Sequence, residues 1–217
     1  MLGSAVLSSA APWESKVLPK MVQNLNAARA AADSGQWSKA GALVELVKIQ
    51  EISLEVPYHA SPLQERALSE AAEMWESALK GSFRFRMVAP GEGQVSVKFA
   101  QNVSYGGTSS MARATWSRQL LNYGWGTYGS QTTASIEIRT QLNGTECPLS
   151  TMRHAIAHEL GHVLGLDDSS RLGDVMGPQM SEGTPEAPAS EEKSALLELR
   201  DQAQEVGTLA QILSLES

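Results

Sequence analysis

Cysteine is all but missing from this 217-residue chain, where Cys147 stands alone. An intramolecular disulfide is therefore impossible, and a four-cysteine metal knuckle is excluded. Basic side chains are also short, 17 against 24 acidic ones, for a net charge of −7, and they form no run. Nucleic acid, whose binding depends on neutralising phosphates, is not an expected partner. No stretch approaches the ~18–20 consecutive apolar residues of a membrane-spanning helix. What is present is ample for a core: 42% of residues are hydrophobic and only 19% charged. A chain of this length buries most of its unfolded surface and needs no covalent staples.

Met1 to Ala11 is small and mildly apolar, but no Lys or Arg precedes the apolar stretch. A disordered N-terminus is expected there rather than a secretory leader. From Trp13 to about Lys48 the pattern is helical. Val17, Met21, Leu25 and Ala28 step by three and four, Asp33-Ser34-Gly35 breaks the run, and Trp37, Ala40, Val44 and Val47 resume it. One such helical hairpin cannot bury its own face, so residues 1–48 are expected to pack as an appendage on a main domain of residues 49–217.

Within that domain Ile52, Leu54 and Val56 alternate as a strand does, ended by Pro57. Leu63 to Lys80 reads as a long helix. Strands follow at Phe83–Phe85, Val95–Phe99 and Ile136–Ile138, and an edge strand is expected over Met111–Ser117 after Gly106-Gly107. The fold class is therefore mixed, α+β or α/β, with a twisted mixed sheet. A final helix over 190–215 carries Leu196, Leu199, Ala203, Val206, Ala210 and Leu213 as one stripe. That stripe is expected to dock within the chain, leaving a monomer.

The chemistry concentrates in His158-Glu159-Leu160-Gly161-His162. Residues four apart share a helix face, so both imidazoles can reach one metal ion. Glu159 sits ~100° further round the helix, within reach of a water on the metal without being a ligand. Zinc lowers the pKa of bound water towards ~7, and a carboxylate beside it can take the proton during attack on a carbonyl. Gly165 can adopt positive φ and turn the chain back, so Asp168 would offer a third, oxygen ligand. Asp167 competes for that role. Downstream, Asp174-Val175-Met176-Gly177-Pro178 places a methionine in a tight turn, where it can floor a metal site.

This pattern resembles the metzincin metallopeptidases, whose motif is H-E-x-x-H-x-x-G-x-x-H followed by a methionine turn. The order of strands and helices over Ile49–Leu199 resembles the matrixin catalytic domain. Aspartate replaces the third histidine, as it does in the snapalysin-type enzymes. The resemblance implies a zincin fold with Zn2+ held by His158, His162 and Asp168, and Glu159 as general base. Peptide or protein is the implied substrate and secretion the implied location. Many matrixins bind calcium, but no compact Asp-rich loop here compels one. The rival reading is a non-catalytic zinc-containing scaffold that works through its terminal helices.

Three neighbours of the motif carry blander expectations. His154, one turn before His158, is expected to pack rather than ligate. Cys147 is expected to be a small buried hydrophobe. The aromatic, glycine-rich stretch Tyr123–Tyr128 is placed near the cleft rim, as a substrate-contacting loop or a plain surface loop.

Overall fold

The computed structural model describes residues 11–106, 108–178 and 183–215. The leader expectation for residues 1–10 and the Gly107 half of the glycine pair lie outside them. The elements run α1 (Pro19–Asp33), α2 (Trp37–Val47), β1 (Glu51–Glu55), α3 (Pro62–Ala78), β2 (Arg84–Val88) and β3 (Val95–Ala100). Two short strands, β4 (Val103–Tyr105) and β5 (Thr108–Ser110), precede the long strands β6 (Ala112–Gly124) and β7 (Thr127–Arg139). A small hairpin, β8 (Gln141–Leu142) with β9 (Thr145–Glu146), then leads into α4 (Leu149–Leu164) and finally α5 (Ser190–Leu215).

Five strands form one sheet in the order β2-β1-β3-β7-β6. All neighbours are parallel except β6, which runs antiparallel to β7. The mixed sheet expected from the sequence is therefore present, and its antiparallel edge strand is the one beside the motif helix. That strand is longer than expected, reaching Gly124 rather than stopping near Ser117.

Helix α3 is fixed at its start by Ser61 and Gln64, which cap each other's backbone N–H groups, with Pro62 in the first turn. Its buried face, including Leu68, Ala71 and Trp75, lies against α4, and the Trp75 Nε1–H donates to the Ala157 carbonyl at 2.8 Å. That bond holds the motif helix against α3.

The helical hairpin of residues 13–48 differs at its start. Val17 is not the first turn of a helix: residues Pro12–Lys16 form a 3-10 turn, and Val17 and Leu18 are extended. Pro19 explains this, because the residue before a proline is pushed out of the helical region, while proline itself suits the first helical position. The extended residues pair with the chain that follows α4. Leu18 N–H donates to the Gly165 carbonyl at 2.8 Å and Asp167 N–H to the Lys16 carbonyl at 3.0 Å, across a Val17–Leu166 bridge.

One continuous hydrophobic cluster joins Met21, Leu25 and Ala28 of α1 and Leu43 and Val47 of α2 to the sheet, α4 and α5. The stripe on α5 is spent inside the chain, with Leu196, Leu199, Ala203, Val206 and Ala210 buried. Arg200 of the same helix donates to the carbonyls of Ile49 and Ser82. Among the described residues no helix is long and apolar enough to cross a membrane.

Candidate metal centre and cleft

Helix α4 ends at Leu164, and Gly165 takes φ +115°, a left-handed conformation that glycine adopts freely. The chain then turns back, so Asp168 lies over the face that carries His158 and His162. Asp168 Oδ1 is 3.2 Å from His158 Nε2 and 3.4 Å from His162 Nε2. One ligand atom from each residue lies within 4.8 Å of the others. Asp167 lines the same cleft, but its carboxylate is turned to its own chain, accepting from Asp168 N–H at 2.9 Å.

The chemistry of this trio can be read from the other nitrogen of each ring. His158 Nδ1 lies 3.0 Å from the Val175 carbonyl and His162 Nδ1 2.9 Å from the Leu166 carbonyl. A carbonyl can only accept, so each Nδ1 carries the proton and each neutral ring presents a bare Nε2 lone pair. Two lone pairs and a carboxylate oxygen thus converge on one point, an all-acceptor arrangement that a cation satisfies. Two nitrogens and an oxygen are a donor set that suits zinc.

Electrostatics follow from the same geometry. Burial pulls His158 towards the neutral form, but the Asp168 hydrogen bond, Glu159 and the Val175 carbonyl together raise it above its usual value. His162 is held below its usual value by burial. The hydrogen bond from His158 keeps Asp168 below the ordinary carboxylate range.

Glu159, 6% exposed, lines the cleft beside the trio. Burial pushes its carboxyl up to about 7; His158 and a hydrogen bond from the Ala114 N–H oppose the rise, and Asp168 adds to it. The Ala114 contact ties Glu159 to the edge strand β6, which forms one wall of a cleft of about 630 Å³. Met176 floors the site from the other side: its sulfur lies against Gly161, where a side chain would collide with it.

His154 is buried, with Nε2 3.2 Å from the Val175 carbonyl that also holds His158. It packs beneath the trio and is not part of it. Cys147 is fully buried before α4, where burial raises its thiol pKa, and it lies outside the cleft lining. The aromatic stretch Tyr123–Tyr128 needs a correction. It forms the far turn of the β6–β7 hairpin, where Tyr128 N–H donates to Ser38 Oγ of α2 at 2.9 Å, and it lines no part of the cleft. The longer β6 carries that turn away from the rim.

Two contributors escaped the sequence reading. Trp116 on β6 stacks on the His162 ring at 5.4 Å and 18°. Glu192, buried in the first turn of α5, accepts from Met176 N–H and Ala189 N–H at 2.7 Å and from Val175 N–H at 3.4 Å. Trp116 gave a signal that was overlooked, a large ring in phase with Ala112 and Ala114 on an expected strand. Glu192 gave almost none, since Ala189 replaces the Ser or Thr of a full capping box.

A family model described as Matrixin, a peptidase family, matches residues 51–193. No curated protein matches the chain at a significant level.

Proposed function

Because this chain belongs to the matrixin family of peptidases, we propose that it is a zinc-dependent endopeptidase, with His158, His162 and Asp168 as the metal ligands and Glu159 as the general base. The observation that carries the reading is the commitment of both Nδ1 atoms to backbone carbonyls, which aims two Nε2 lone pairs and Asp168 at one point. Bound there, zinc would supply Lewis acidity, polarising the scissile carbonyl and acidifying the attacking water.

The remaining work falls to the chain's own groups. Glu159 accepts the proton of the attacking water at a carboxylate oxygen and returns it to the leaving amine. Its proton affinity, raised by burial to about 7, suits a group that must do both near neutral pH. The Ala114 N–H orients that carboxylate, and the Trp116 ring fixes the plane of His162. Peptide backbone is bound at the β6 edge. Met111 carbonyl accepts from Arg139 N–H and so faces β7, which leaves the backbone groups of Ala112, Ala114 and Trp116 facing away. An extended substrate can add there as a further strand.

Within the same reading, residues 49–217 form the catalytic unit and residues 1–48 its helical appendage. Secretion is the location that the family favours. The test pairs metal analysis with cleavage of an unfolded generic protein, comparing wild type with Glu159→Ala. Stoichiometric zinc in both and cleavage only by the wild type is the expected result. Equal cleavage removes Glu159 from its role, and zinc without any cleavage returns the scaffold reading.

A further inference from the structure

The β6–β7 hairpin has two unlike faces. Ala112, Arg118, Thr132, Ile136 and Ile138 are buried on the side that meets the helices. Side chains alternate along a strand, so the cross-strand pairs Thr115–Ser135, Ser117–Thr133 and Gln119–Gln131 lie on the opposite face. That face is exposed or half-buried along its length. Every one of these six side chains is a neutral hydrogen-bonding group. Residues 119–136 contain no Asp, Glu, Lys, Arg or His at all, in a chain that is 19% charged.

Two aromatic rings close the end of this face. Tyr123 lies across Gly129, where any side chain would run into its ring, yet it remains 65% exposed. Trp125 occupies the first position of the two-residue turn between β6 and β7, with φ +53° there and +76° at Gly126. Such a turn favours Asn, Asp or Gly. A tryptophan in it contributes nothing to the core, because it is entirely exposed (104%). The tip is nevertheless held in place. Ser130 Oγ donates to Glu45 of α2 at 2.7 Å, and Lys39 lies 5.8 Å over the Tyr128 ring on the helix side.

We propose that the outer face of the β6–β7 hairpin, with its Thr/Ser/Gln ladder ending in Tyr123 and Trp125, is a docking surface for a neutral polysaccharide. Sugar rings offer apolar C–H faces that stack on aromatic side chains, and hydroxyls that both donate and accept. The surface supplies both complements and desolvates no charge in doing so. An anionic polymer or an anionic lipid surface would call for Lys or Arg, which the face lacks. A protein partner would call for an apolar centre with aliphatic anchors, and Leu121 is the only aliphatic side chain between the ladder and the rings. The proposal stands apart from the cleft, and would tether the chain to a glycan-rich matrix whatever the cleft does.

Native affinity electrophoresis of the full chain tests it, in gels containing hydroxyethyl cellulose, amylopectin or laminarin, beside a plain gel and a heparin gel. Retardation by at least one neutral polymer, and none by heparin, is expected. Trp125→Asn is the informative variant, because it removes the ring while giving the turn a residue it prefers. It should weaken that retardation about tenfold at unchanged melting temperature. Gln119→Ala with Gln131→Ala should weaken it to a smaller degree, and Glu159→Gln should leave it unchanged. No retardation by any neutral polymer overturns the proposal, as does equal retardation of wild type and Trp125→Asn. Retardation by heparin alone also overturns it, as does a Trp125→Asn effect confined to cleavage of unfolded protein, which would reassign the face to polypeptide.

Discussion

His158 and His162 stand on a buried helix, whereas Asp168 stands on a turn with its side chain 72% exposed. The two halves of the proposed metal site are thus held by different parts of the chain. The helix half is clamped from within the family-matched segment: Trp75 bonds Ala157, Met176 packs on Gly161, and Val175 and Leu166 fix the rings. The turn half is braced from outside that segment, by the extended residues Lys16 to Leu18 and by Met21, which touches Gly165. Buried Arg118 joins the halves, donating to the Val163 carbonyl and contacting Met21 Sδ at 2.8 Å. The difference teaches why an N-terminal hairpin belongs to this domain: it secures the one ligand that the core does not.

The comparison breaks most completely at the helix. His162→Ala should abolish stoichiometric zinc, read by elemental analysis of the purified protein. Retention at unchanged stoichiometry would overturn the ligand assignment. Glu192→Ala comes next, because it strips the acceptor from three backbone N–H groups behind the histidines. It should cost about 2–4 kcal/mol in denaturant unfolding. It should also weaken zinc affinity by roughly 10–100-fold in a chelator competition, as loss of a support behind a ligand does. An affinity unchanged despite lost stability would show that Val175 positions nothing.

Gly165→Ala probes the turn half. The new Cβ would stand 2.7 Å from Met21 Cε on a backbone at φ +115°, so about 2 kcal/mol should be lost. Much of the steric part should return in a Met21→Ala background, a coupling that a double-mutant cycle measures. Strict additivity would mean that Met21 does not brace the turn.

The legible parts of this molecule were those set by local periodicity. The spacing of His158, Glu159 and His162 places three groups around one helix whatever surrounds it, and Gly165 announces the turn. The alternation at Ile52–Leu54 and Val95–Val97 likewise survives in the sheet. Misreadings arose where a distant partner decides. Val17 keeps helical phase, yet Pro19 and the chain after α4 make it extended. The Tyr123–Tyr128 turn was misplaced because the adjacent pair Leu120-Leu121 hides the alternation of β6, so the strand seemed to end early. Glu192 was invisible because its partners lie 16 and 17 residues away along the chain.

The smallest expected effect concerns Glu159 and separates its catalytic burden from its structural one. In chelator-treated, metal-free protein the folded carboxyl titrates at about 7, against an ordinary 4.5. Between those values the folded state keeps a proton that the unfolded state has released. Stability therefore falls as pH rises through this window, and the full penalty persists above it. Glu159→Gln removes the titration while keeping an acceptor for the Ala114 N–H. Its advantage over wild type should be absent below pH 4.5, grow through the window, and level off above pH 7 at on the order of 1–2 kcal/mol. Unfolding curves at pH 4, 6 and 8 measure it. A Gln variant less stable than wild type at pH 8 would mean that the ionised carboxylate is better solvated than its burial implies, and the helix half of the site would be softer than the comparison with Asp168 requires.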